Sequence, residues 1–113
     1  MKFCVQAELK FDTEAKRAAM VSYAKDLIKD RPIWKERIDE VQVSSGVDIM
    51  ADGNPTMNLM VRFDIENDMR DIFQKVKDRL QTVSGVHGTV KIHRCEHDTP
   101  PFRPCVIDKE FVI

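Results

Sequence analysis

Lys2-Phe3-Cys4-Val5-Gln6-Ala7-Glu8-Leu9-Lys10-Phe11 alternates almost without fault. Successive side chains of a strand point to opposite faces. Phe3, Val5, Ala7, Leu9 and Phe11 therefore line one face, and Lys2, Cys4, Gln6, Glu8 and Lys10 the other. The segment is predicted to be a strand with one face in a core, and the elements that follow must cover that face.

Asp12 or Thr13 offers a helix N-cap with Glu14 close behind, and Met20, Ala24, Leu27 and Ile28 recur at helical spacing. A helix is predicted over 13–29, ending before Pro32. Ile33 and Trp34 are assigned to the connection, with Trp34 packed over the end of the core. A second strand is expected over 40–50, with Val41, Val43, Val47 and Ile49 sharing a face. Asp52-Gly53-Asn54-Pro55 is a turn signal, and beyond it Met57, Leu59, Val61, Phe63 and Ile65 alternate with Asn58, Met60, Arg62 and Asp64. The second helix has the clearest period, in which Met69, Ile72, Phe73, Val76, Leu80 and Val83 form one stripe behind an Asn67/Asp68 start. Ser84-Gly85 supplies its stop. A last strand is predicted over 88–97, with Val90 and Ile92 on the core face, closed by Thr99-Pro100-Pro101.

Strand, helix, strand, strand, helix, strand is the βαββαβ plait of the ferredoxin-like fold, an α+β class. Right-handed crossovers place both helices on one face of a four-stranded antiparallel sheet in the order four, one, three, two. Residues 1–98 are assigned to this domain and 99–113 to a C-terminal tail. Val106-Ile107 and Phe111-Val112-Ile113 make the tail too apolar to lie in water. It is expected to become an extra edge strand or to exchange with a partner, since Pro100-Pro101 and Arg103-Pro104 steer it away from its own fourth strand. A homodimer or higher homo-oligomer follows as the expected state.

Composition narrows the function classes. A chain of 113 residues, 42% hydrophobic and 33% charged, builds one core rather than two. Eighteen basic residues against 19 acidic ones give a net charge of -1 with no long run of either sign, so no nucleic-acid footprint is visible. No stretch approaches the ~20 apolar residues of a membrane span, and Gln6 and Glu8 interrupt any signal-peptide reading of the opening segment. A cytoplasmic location is expected. The three cysteines, Cys4, Cys95 and Cys105, are odd in number and are expected to be reduced thiols. The open face offers Cys4, Gln6, Glu8, Asn58, Met60 and Arg62 on its central strands, with no aromatic on which a base would stack, which disfavours RNA binding.

The chemistry-bearing stretch is His93-Arg94-Cys95-Glu96-His97. On a strand, His93, Cys95 and His97 share a face, and the pattern puts them on the open face with Cys4. Full overlap of the first and last strands sets Cys4 opposite Cys95, Gln6 opposite His93 and Glu8 opposite Lys91. Cys4, His93, Cys95 and His97 would then enclose a tetrahedral metal, a set suited to zinc and open to nickel or copper. An H-x-C-x-H run shares a face in any strand, so it is a weaker sign than a CxxC pair. The leading expectation is a small ligand-binding domain with a transition metal on its open face. The alternative is a dimeric α+β-barrel enzyme acting on a small polar or anionic substrate, with His93 as general base, Glu8 as its partner and Arg62 as an anion clamp. The third reading is a non-catalytic scaffold subunit.

Overall fold

The computed structural model describes residues 2–29, 31, 33–39, 54–96, 100–101 and 103–113. Its elements run β1 (Lys2–Phe11), α1 (Glu14–Ile28), β2 (Ile33–Asp39), β3 (Thr56–Phe63), α2 (Glu66–Leu80), β4 (Val86–Glu96) and β5 (Arg103–Val112). The strands form one antiparallel sheet in the order β2-β3-β1-β4-β5. Its first four members stand in the expected four, one, three, two order, and β5 extends the sheet past β4.

Both helices cover the face that the alternation of β1 marks as apolar. Val5, Ala7, Leu9 and Phe11 join Leu59, Val61, Phe63, Val90 and Ile92 in a single buried cluster with Met20, Val21, Ala24 and Ile28 of α1 and the Met69, Ile72, Phe73, Val76 and Leu80 stripe of α2. Thr13 caps α1, its hydroxyl accepting the Lys16 backbone N–H at 3.2 Å. α2 starts one residue before the expected Asn67. Ile65 is its N-cap without a side-chain hydrogen bond, and Glu66 and Asp68 in the first turn complement the helix dipole instead.

A strand stands where a connection is expected. Ile33 and Trp34 open β2 rather than a connection, and β2 pairs with β3 from Ile33 opposite Phe63 to Asp39 opposite Asn58. Lys35, Glu36, Arg37 and Asp39 hide this strand from an alternation test, and such charges suit an edge, where they deter pairing with another chain. The strand expected over 40–50 lies outside the described residues.

The β1–β4 register is offset by two residues from full overlap. Cys4 pairs with His93, Gln6 with Lys91, Glu8 with Thr89 and Phe11 with Val86. A clasp at the end of β1 sets this alignment. The Asp12 N–H donates to the Gly85 carbonyl at 2.9 Å, and Lys16 Nζ donates to the Ser84 carbonyl at 2.8 Å while pairing with the Asp12 carboxylate at 3.0 Å. Gly85 has φ +74, and a Cβ there would stand 2.1 Å from the Asp12 carboxylate. A two-residue slip leaves every side chain on its original face, so the hydrophobic pattern alone does not select between the two registers.

The tail returns to its own sheet. β5 pairs with β4 from Thr89 opposite Val112 to Glu96 opposite Arg103, contrary to the expectation that its prolines would steer it away. Pro104 falls where the ladder is irregular, between the Arg94–Val106 and Glu96–Arg103 pairs, and there its missing N–H is tolerated. Arg70 of α2 bonds Asp108 at 3.0 Å, Lys77 lies 5.0 Å over the Phe111 ring, and the Ile113 N–H donates to the Gly88 carbonyl at 3.0 Å.

Candidate functional site

The sheet face away from the helices carries the chemistry. One cross-strand row runs from Arg62 on β3 through Cys4 on β1 and His93 on β4 to Ile107 on β5. Beside it, Cys95 pairs with Lys2 on one side and, on the other, falls with Cys105 in the irregularity between the Arg94–Val106 and Glu96–Arg103 pairs. The Cys105 thiol donates to Cys95 Sγ at 3.1 Å, closer than ordinary van der Waals contact between sulfurs. Cys4 lies diagonally from Cys95, and the three thiols are near enough to act on one another electrostatically.

Cys4 and Cys95 are 3% and 4% exposed, although alternation places them on the face that no helix covers. Burial pushes the Cys4 thiol up to about 11, against the opposing charge and hydrogen bond of Arg62. Burial also pushes Cys95 up to about 12, reinforced by the contact with Cys105 and by the charges of Cys105 and Cys4. Both are thiols at neutral pH. His93 is held below the ordinary imidazole range by burial and by the Lys91 ammonium. Its Nε2 is buried and has no hydrogen-bond partner among the described residues. The corner thus presents two protonated buried thiols, one exposed thiol and a neutral imidazole.

Of the expected metal ligands, the structure brings Cys4, His93 and Cys95 to this corner, while His97 lies outside the described residues. Cys4 faces His93 rather than Cys95. Among the described residues, no three His, Cys, Asp or Glu side chains stand close enough to enclose an ion as they are. Of the expected catalytic group, Arg62 and His93 flank Cys4, but Glu8 sits four residues further along β1, about 13 Å away at ~3.3 Å per residue. There it accepts a hydrogen bond from Gln6 Nε2 at 3.2 Å. Glu8 lines a separate shallow groove of about 500 Å³ with Lys10, Thr56, Asn58 and His87.

Cys105 and His87 are the residues that motif reading leaves out of any site. Cys105 has a usable signal: a chain reversal centred on Pro100 brings together the positions five residues to either side of it, Cys95 and Cys105. His87 has none, because its place in the groove depends on where β4 begins.

No protein-family model matches the chain, and no curated protein matches its sequence. The fold is similar to that of De novo designed protein Foldit4, with a TM-score of 0.66 over 85% of this chain and 100% of that one. At 8% identity this likeness shows the fold alone. No helix among the described residues is long and apolar enough to cross a membrane.

Proposed function

We propose that the chain is a small ligand-binding domain that takes a soft transition-metal ion at the β1–β4–β5 corner. Cys95 and Cys105 are the primary donors, with Cys4 and His93 available to complete the shell. The observation that carries this reading is the contact of Cys95 and Cys105 beside a third thiol and a buried imidazole nitrogen with no hydrogen-bond partner among the described residues. Thiolates favour soft ions. Two of them suffice for a two-coordinate cuprous ion, whereas tetrahedral zinc requires Cys4 and His93 to turn inward as well.

Binding must displace the Cys95 proton, so affinity should climb with pH, by about a decade per unit for each thiol deprotonated. The test is a competition titration of metal-free protein with cuprous, zinc and nickel ions, beside Cys95→Ser. One equivalent bound tightly by the parent and lost in the variant supports the reading. Equal affinity of the two proteins for all three ions overturns it.

A second copy of the chain is the partner proposed for β5. Among the described residues this strand ends the sheet, and Val106, Ile107 and Val112 on it are 51%, 52% and 65% exposed. Two β5 strands paired antiparallel about an axis between Asp108 and Lys109 would set each Asp108 opposite a Lys109, and opposite charges across strands favour that register.

A further inference from the structure

We propose that Cys95 and Cys105 form a reversible dithiol–disulfide couple that clips β5 to β4, with Cys105 meeting the oxidant and Cys95 closing the bond. The proposal goes beyond metal binding and does not rest on it, because it needs only the two sulfurs and their exposure. Cys105 is exposed and Cys95 is buried, so a small molecule in solvent reaches the first and not the second. The two residues lie on adjacent antiparallel strands, inside the irregularity between the Arg94–Val106 and Glu96–Arg103 pairs. The sulfurs stand 3.1 Å apart. They need approach by only about 1 Å to reach the bonded separation of about 2.05 Å, a movement within reach of side-chain rotation. Cys4 is the competing thiol, but it lies on β1 diagonal to Cys95 and directs its Sγ to the Val5 carbonyl at 3.7 Å.

The oxidant is a low-molecular-weight disulfide. Cys105 gives up its proton and attacks one sulfur of that disulfide. The small S–S bond breaks, a mixed disulfide forms on Cys105, and the first small thiolate leaves. Cys95 then gives up its proton and attacks Cys105 Sγ, the mixed disulfide breaks, and the second small thiolate leaves. The two protein thiols are oxidised, one small disulfide is reduced to two thiols, and the two thiolates carry away the two protons. In the oxidised state β5 is tied to β4 through a closed loop spanning residues 96–104, and neither sulfur is free to hold a metal.

The test uses the full chain with a chelator present, so that its outcome is independent of metal binding. The protein is incubated with oxidised glutathione, quenched by alkylation, and read by intact mass and peptide mapping. The expected product has lost two hydrogens, carries a Cys95–Cys105 cross-linked peptide, keeps an alkylatable Cys4, and reverts on adding a dithiol reductant. Cys95→Ser should stop at one glutathione on Cys105, and Cys95→Ala provides the same comparison if serine is not tolerated at the buried position. Accumulation of the glutathione adduct on the parent chain, as in the Cys95 variants, overturns the proposal. A cross-link through Cys4 overturns it as well.

Discussion

Cys4 on β1 stands directly opposite His93 on β4, so a buried thiol and an imidazole nitrogen with no hydrogen-bond partner among the described residues share one cross-strand row. Both groups are held in their uncharged forms, by burial above all. The row therefore links the fold to pH from two sides.

On the acid side the link runs through His93. Its folded pKa lies below the ordinary 6.5, so below that pH the unfolded chain binds a proton that the folded chain resists. Its contribution is present above pH 6.5 and is lost as pH falls. The urea midpoint should drop more steeply between pH 7 and 5 for the parent than for His93→Gln. Parallel profiles of the two proteins would rule the contribution out.

On the alkaline side the sign reverses. Cys4 moves from 9.0 to about 11 and Cys95 to about 12, so the unfolded chain loses these protons first. Stability is intact below pH 9 and declines as pH rises towards 11–12, by on the order of 2–3 kcal/mol for the Cys4 thiol. Denaturant melts of Cys4→Ala should show a flatter profile over this window, whatever the variant's stability at pH 7. An unchanged slope would show that Cys4 is not a source of the alkaline loss.

The sequence carried the layer structure because a half-buried sheet imposes a period of two and a covering helix a period near 3.6. β1 and β3 follow the first period except at Cys4 and Thr56, which are buried on the opposite face, and the α2 stripe follows the second. β2 escapes an alternation test because an edge strand tolerates charged residues in succession, and Lys35-Glu36-Arg37 carries no alternation. The Cys4–His93 pairing escapes the sequence for a different reason. Face assignment survives a two-residue slip, and the clasp of Asp12 and Lys16 on Ser84 and Gly85 is a tertiary contact without a sequence period.

Leu80 tests the helix layer. It is 1% exposed at the end of the α2 stripe, in the cluster that includes Phe11 and Val86. Leu80→Ala should cost about 2–5 kcal/mol through lost burial and the cavity left behind. Glu66 at the other end of α2 is exposed, and its replacement by Ala should cost far less. Denaturant midpoints that rank the two in the reverse order would refute the packing described for α2.

The edge of β5 makes the last test. Among the described residues, a strand of 10 residues at the end of the sheet offers backbone groups to another chain, and Val106, Ile107 and Val112 add exposed apolar surface to it. Pairing two β5 strands about the Asp108–Lys109 centre sets Val106 of each copy opposite Phe111 of the other. A lysine at position 106 would place a charge in that contact. Val106 is half exposed within one chain, so Val106→Lys should leave the thermal midpoint of the isolated chain nearly unchanged while weakening association. Sedimentation velocity over a concentration series is expected to show a dimer for the parent chain and a monomer for the variant. A parent chain that remains monomeric at the highest concentration, or a variant that dimerises equally well, would leave β5 as an unpaired edge guarded by Asp108, Lys109 and Glu110.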